Sequence, residues 1–310
     1  MLLPRNQSLD SPTEHSQPVG QDAYGTRILA ACWIVEMLSG IIISLRVYCK
    51  RKRSRKLWYD DHILIAAWLI QTINVILITV NVSLGDGRHA YSLDPAVLHI
   101  LGLNGNVSGT LSIMAAFLSK TSFGLTLLRL TNGATKWFIC FLLVTMNIAL
   151  GMSAIFIWAQ CTPSAKSWHS EMEGTCWDPN VITKYGLFSG VYSAFVDFAL
   201  SFLPWPLIWN LQMQSREKIG VAVAMSMGVF AGLGAIAKVL QLHNLSSPDF
   251  TYYESEIIIW GTVETAVTIM AASVPFLRLL VIEARPALSP QPYVVSLKIP
   301  RELSDEHDFV

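Results

Sequence analysis

Five ionisable residues stand inside long apolar runs: Glu36, Lys120, Asp197, Lys238 and Glu264. A charge in such surroundings is expensive, so these side chains point to ion pairing, ligand binding, proton transfer or acid–base catalysis. In the middle of a bilayer an isolated charge costs at least about 2.5–3.5 kcal/mol. Helical rise gives their depth. Lys120 lies nine residues before Arg129, Glu36 ten before Arg46 and Asp197 twelve before Trp209, roughly 13, 15 and 18 Å from one interface. The three share a level, and Lys120 is expected to pair with Asp197 or Glu36. Such a pair can either fix helix register or serve a ligand or reaction. Glu264 is placed nearer the other end of its helix, with no partner evident from depth. It fits a hydrogen-bond donor, a proton carrier or a general acid. Lys238 falls near a helix end and is expected to snorkel outward.

These residues must be positioned by membrane helices. Of 310 residues, 52% are hydrophobic and only 14% are charged, against roughly a quarter charged in a soluble domain. Seven runs are long enough to span: 28–45, 62–82, 97–128, 137–158, 185–209, 219–240 and 257–281. The expected architecture is an all-α bundle of seven transmembrane helices over 28–282. Polar tails at 1–27 and 283–310 read as disordered, and the first helix doubles as the targeting signal.

Fifteen basic residues fall on one side of this arrangement and five on the other, with seven between Arg46 and Lys56 alone. The richer side is expected in the cytosol, which puts the amino terminus outside and the carboxyl terminus inside. Sequons at Asn6, Asn81 and Asn244 fall at or near the predicted outer side and are candidate glycan acceptors; a fourth, at Asn106, sits close to the membrane. Cys161 and Cys176 share the predicted outer loop between helices four and five, where a disulfide is the natural state.

Other chemistries find no support. The five cysteines contain no Cys-x-x-Cys, and no two histidines stand four apart on a spanning helix, so no metal site is expected. There is no phosphate-binding glycine loop, no nucleophile elbow and no nucleic-acid motif. Asp60 is placed to cap helix two. Pro204, Pro206 and Pro275 interrupt helices five and seven and suggest a pocket between helices three, five, six and seven. The pairs Gly105/Gly109, Gly186/Gly190 and Gly228/Gly232 have the spacing of close helix contacts.

Several stretches resemble the fungal rhodopsin-domain family of integral membrane proteins. They are Arg46-Val-Tyr with the basic loop and Asp60-Asp61, Leu118-Ser-Lys-Thr-Ser-Phe-Gly-Leu-Thr-Leu-Leu-Arg129, and Cys161-Thr-Pro with Trp168 and Cys176-Trp-Asp178. Asp197 with Leu203-Pro204, Ile208-Trp-Asn-Leu-Gln-Met213, Trp260, Glu264 and Val274-Pro275 complete the resemblance. Where the family often has an arginine late in helix six, this chain has Lys238. The predicted seventh helix holds no lysine for a retinal Schiff base, so no cofactor is expected.

Two functions fit these residues. One is a receptor-like protein that binds a small lipophilic molecule between its helices and meets a cytosolic partner at the basic loops. The other is a membrane-embedded cyclase or isomerase of fungal secondary metabolism, with Glu36, Asp197 or Glu264 as acid. Both place the chain in a plasma membrane or endomembrane, with the lipid bilayer as its main partner and nucleic acid excluded.

Overall fold

The computed structural model describes residues 21–52, 58–86, 94–129, 131, 133–169, 171–203, 215–244 and 250–284. Among them are seven long helices: α1 (Gln21–Lys52), α2 (Tyr59–Leu84), α3 (Pro95–Leu128), α4 (Ala134–Ala159), α5 (Pro179–Phe202), α6 (Ser215–Asn244) and α7 (Phe250–Ala284). A two-stranded ribbon, β1 (Cys161–Thr162) and β2 (Thr175–Cys176), lies between α4 and α5 and brackets a 3-10 turn at Ser164–Ser167.

The helix boundaries follow from local chemistry. Asp94 and Asp178 cap α3 and α5, each accepting a backbone N–H two residues on, and each is followed by proline at the first helical position. Gly85 ends α2 at φ 107°, a left-handed conformation that glycine adopts without strain. Helix α5 ends at Phe202, seven residues short of the expected end; its cap, Leu203, keeps helical dihedrals (φ −62°, ψ −33°) and stands directly before Pro204. Residues 204–214, which include Pro206 and Trp209, lie outside the described ones. All seven helices start earlier than expected, α7 at Phe250 and α1 at Gln21 by the most; α1 thereby begins inside the stretch expected as an outer tail. The rest of the two tails lies outside the described residues.

Six of the helices are long and apolar enough to cross a membrane. The remaining one, α5, has 24 residues, long enough to span at about 1.5 Å each. Its apolar character is diluted by Ser189, Ser193, Asp197 and Ser201, and all four are buried. Charged and polar side chains are buried within the bundle, and large apolar ones cover its outside. Ile34, Ile41, Phe141, Ile148 and Phe230 are exposed, whereas Arg46, Lys120 and Glu264 are at most 1% exposed. Lipid reverses the usual arrangement: its tails solvate the apolar rim, and the charges must find partners within the bundle. This is a multi-pass integral membrane protein.

Helices α3 and α7 are central. Helix α3 packs against α2, α4, α5 and α7, and α7 against α1, α2, α3 and α6. The main core cluster joins Phe123 and Leu127 of α3 to Ile139, Leu143 and Met146 of α4, Val196 and Leu200 of α5, and Ile269 of α7. Glycine spacing is used at the α5–α6 seam. A Cβ on Gly190 would come 2.5 Å from Val239 Cγ2, and one on Gly232 would come 2.9 Å from Phe198. Gly190→Val is therefore expected to force the two helices apart and cost about 1–3 kcal/mol, read as a lower thermal midpoint of the purified protein. Gly105, Gly109 and Gly186 serve differently: they line a cavity, as does Gly190.

Candidate functional site

The lysine at the centre of α3 organises the site. Lys120 Nζ lies 2.7 Å from Asp197 Oδ2 on α5 and 2.6 Å from Glu264 Oε1 on α7, and donates to Ser193 Oγ at 2.5 Å. Lys238 of α6 reaches the other Glu264 oxygen, with Nζ to Oε2 at 2.5 Å. Ser193 Oγ donates to Glu264 Oε1 at 3.2 Å. Two ammonium groups thus face two carboxylates, and four helices meet on one neutral network. Lys120 and Glu264 are fully buried, while the Lys238 side chain stays 25% exposed.

The expected pairing of Lys120 with Asp197 is found, and Glu264 joins it. Depth had placed Glu264 too high and without a partner. Because α7 begins at Phe250, Glu264 lies near mid-helix, at the level of Lys120. Lys238 turns inward to Glu264 instead of snorkelling, since a buried carboxylate attracts it more strongly than an interface does. Glu36 is not in the network. It sits between α1 and α2, where Thr72 donates to its Oε1 at 2.7 Å; its Oε2 has no partner among the described residues.

Above the network lies a cavity of about 430 Å³ between α3, α4, α5, α6 and α7, with Asn74 of α2 at its edge, within the range of about 300–1,000 Å³ typical of small-molecule pockets. Ser193 and Lys238, which both touch Glu264, are also part of its lining. The walls combine Ile113, Leu150, Phe156, Ile157 and Val239 with the hydroxyls of Ser108, Ser112, Ser153 and Ser189. No carboxylate lines it among the described residues. The expectation of a pocket between helices three, five, six and seven holds, with α4 as a further wall.

The loop carrying the cysteines covers the end of the bundle nearest this cavity. Cys161 and Cys176 face each other across the β1–β2 ribbon and form a disulfide. Trp168 O accepts from His99 of α3 at 2.6 Å when His99 Nδ1 carries the proton, and Asn106 Nδ2 donates to Ser167 Oγ at 3.3 Å. Asn81 cannot present a glycan as expected. It is 2% exposed, and its Oδ1 accepts from Asn104 Nδ2 at 2.8 Å. Asn6 lies outside the described residues, as does the side chain of Asn244. No group of three or more metal-ligating side chains converges among the described residues.

A second charged network at the opposite end was not anticipated. The cap of α2 expected at Asp60 is Trp58 instead. Asp61 Oδ2 accepts from Trp58 N at 3.1 Å and meets Lys50 Nζ at 2.6 Å, while Asp61 Oδ1 meets Arg46 Nε at 2.9 Å. Asp60 takes Arg46 at 2.8 Å and Arg129 at 2.6 Å. Arg46 also donates to the Ala272 carbonyl of α7. Ser122 Oγ donates to Asp60 O at 2.7 Å. This network ties α1, α2, α3 and α7. In sequence, Arg46, Lys50 and Arg129 count as loop charges, and nothing in their residue type marks them as inward-facing.

Comparison with known proteins agrees with this architecture. Residues 45–283 match the model of the fungal rhodopsin domain. The chain is 27% identical over 179 residues to an Emericella nidulans protein named "SAT4 family membrane protein", covering 54% of this chain and 45% of that one. It is 26% identical over 137 residues to "Fugralins biosynthesis cluster protein 2" of Gibberella zeae (44% and 33% of the two chains). It is also 29% identical over 142 residues to "Polyenoic acids biosynthesis gene cluster protein Ba17b" of Metarhizium anisopliae (42% and 37%). These matches span less than half the length of each relative. The match to the family model covers most of the chain: it belongs to the fungal rhodopsin-domain family.

Proposed function

We propose that this chain is a receptor-like membrane protein that binds a small lipophilic molecule in the cavity above the Lys120 network. The observation that carries this reading is the shared boundary: Lys238 and Ser193 line the cavity and also hold Glu264. A molecule entering the cavity competes for those two donors and acts on a network that joins four helices. That is a route from ligand contact to helix arrangement through one physical element. In this reading the basic loops face the cytosol, as the positive-inside rule favours, with the disulfide end outside and a partner at the Asp60–Asp61 end.

The competing reading is an acid-catalysed enzyme, which needs a carboxylic acid facing its substrate. Asp197 and Glu264 are instead engaged by lysines, and no carboxylate faces the cavity among the described residues. Two of the relatives are named for biosynthetic clusters. Their names are consistent with a ligand that is a secondary metabolite or one of its precursors.

Filling the cavity tests the proposal. A Cβ on Gly109 would meet only Ile157 Cδ1, at an ordinary 3.5 Å, so Gly109→Leu should fold while occupying the space. Wild-type protein extracted from host membranes is expected to carry a small molecule detectable by native mass spectrometry, and Gly109→Leu is expected to lose it. An identical small-molecule complement in both would overturn the reading.

A further inference from the structure

The two lysines of the network differ in what they have left to give. An ammonium group has three N–H donors. Lys120 spends its donors on Asp197, Glu264 and Ser193, and is fully buried. Lys238 meets one acceptor among the described residues, Glu264 Oε2; its side chain is 25% exposed and lines the cavity.

The cavity hydroxyls are mostly committed. Ser108 donates to Asn74, Ser193 to Glu264, and Ser189 to the Gly186 carbonyl. Ser153 donates to Ser189 or the Ala149 carbonyl, and Tyr185 also donates to Ala149. Ser112 is the exception: its hydroxyl has no hydrogen-bond partner among the described residues. Ser112 and Lys238 both approach Gly261 of α7. A Cβ there would be 3.2 Å from Ser112 Oγ and 3.8 Å from Lys238 Cδ. Both side chains also line the cavity.

Resting on the proposed ligand cavity, we infer that Ser112 and Lys238 form a head-group site for a neutral carbonyl, such as a ketone, lactone or ester, on a lipophilic body. A carbonyl oxygen has two lone pairs and accepts from both donors. The charge balance selects against an acid. Two carboxylates already neutralise the two lysines, so a carboxylate ligand would bring an uncompensated charge into a low-dielectric site. A primary amine would add a cation beside Lys238. The apolar walls take the body of the molecule.

The test uses 2-undecanone carrying ¹³C at its carbonyl, with decanoate and decylamine as head-group comparators, on the full chain in nanodiscs. Infrared spectra are expected to show a ¹³C=O band at lower frequency than the ketone dissolved in lipid, because both donors polarise the bond. Ser112→Ala touches no ion pair and is expected to weaken the ketone about tenfold, the loss of one hydrogen bond. Lys238→Met is expected to remove the shifted band. If decanoate or decylamine raises the thermal midpoint while the ketone shows only its lipid band, the carbonyl inference is overturned and the cavity reading survives. If the ketone binds unchanged in Ser112→Ala, the head site is overturned. If none of the three probes binds, the cavity reading falls with it.

Discussion

Lys120→Met is expected to destabilise the bundle by about 3–5 kcal/mol, enough to reduce or abolish recovery of folded protein. The substitution keeps volume and apolar stem but leaves Asp197, which is 3% exposed, without its ammonium partner. Glu264 keeps Lys238 and Ser193, so the loss centres on Asp197. Adding Asp197→Asn to Lys120→Met should therefore recover most of the stability, because a neutral amide replaces the stranded carboxylate. Asp197→Asn alone should cost less than Lys120→Met alone, since Lys120 retains Glu264. Thermal midpoints of the wild type, both single variants and the double variant in one detergent form a complete cycle. An additive pair of effects would mean that the two residues do not interact in the folded bundle.

The second large effect belongs to the opposite end. Replacing Asp60 and Asp61 together by Asn should cost about 3–5 kcal/mol, because Arg46 is 1% exposed and would lose both carboxylates that neutralise it. Arg46→Met should be milder. It leaves Asp60 with Arg129 and Asp61 with Lys50 and the Trp58 N–H. The expected order, the double Asn variant well below Arg46→Met and both below wild type, is read from melting curves. The reverse order would show that the arginine's packing outweighs the charges it neutralises.

Much of this was legible in the sequence because lipid imposes a simple rule. Apolar runs gave all seven helices, and rare charges within them gave four of the residues now seen in contact or nearby: Lys120, Asp197, Lys238 and Glu264. Depth counting failed for Glu264 because it depends on helix ends, and α7 starts seven residues earlier than its hydropathy suggests. It failed for Glu36 because a shared level says nothing about which way a helix face turns. Glu36 faces Thr72 of α2. The Asp60–Asp61 network was hidden for another reason. Arg46 and Lys50 merge into a basic run that the orientation rule already explains, and only the packed bundle separates inward from outward members. The cavity was suggested by prolines, but its glycines had been assigned to helix packing; Gly105, Gly109 and Gly186 make space for it.

The most direct test of the proposed ligand cavity, with the disulfide end outside, is chemical access to one of its walls. Ser189 lines the cavity, and its neighbour Phe188 is 58% exposed on the lipid-facing surface. Each is changed to Cys in a background lacking Cys32, Cys49 and Cys140, the three cysteines outside the disulfide, and a charged, membrane-impermeant thiol reagent is added to intact cells. The account predicts that Ser189→Cys is labelled from outside, that Gly109→Leu slows this labelling, and that Phe188→Cys stays unmodified. Labelling of Ser189→Cys only after the inner face is exposed, or at a rate indifferent to Gly109→Leu, would contradict it.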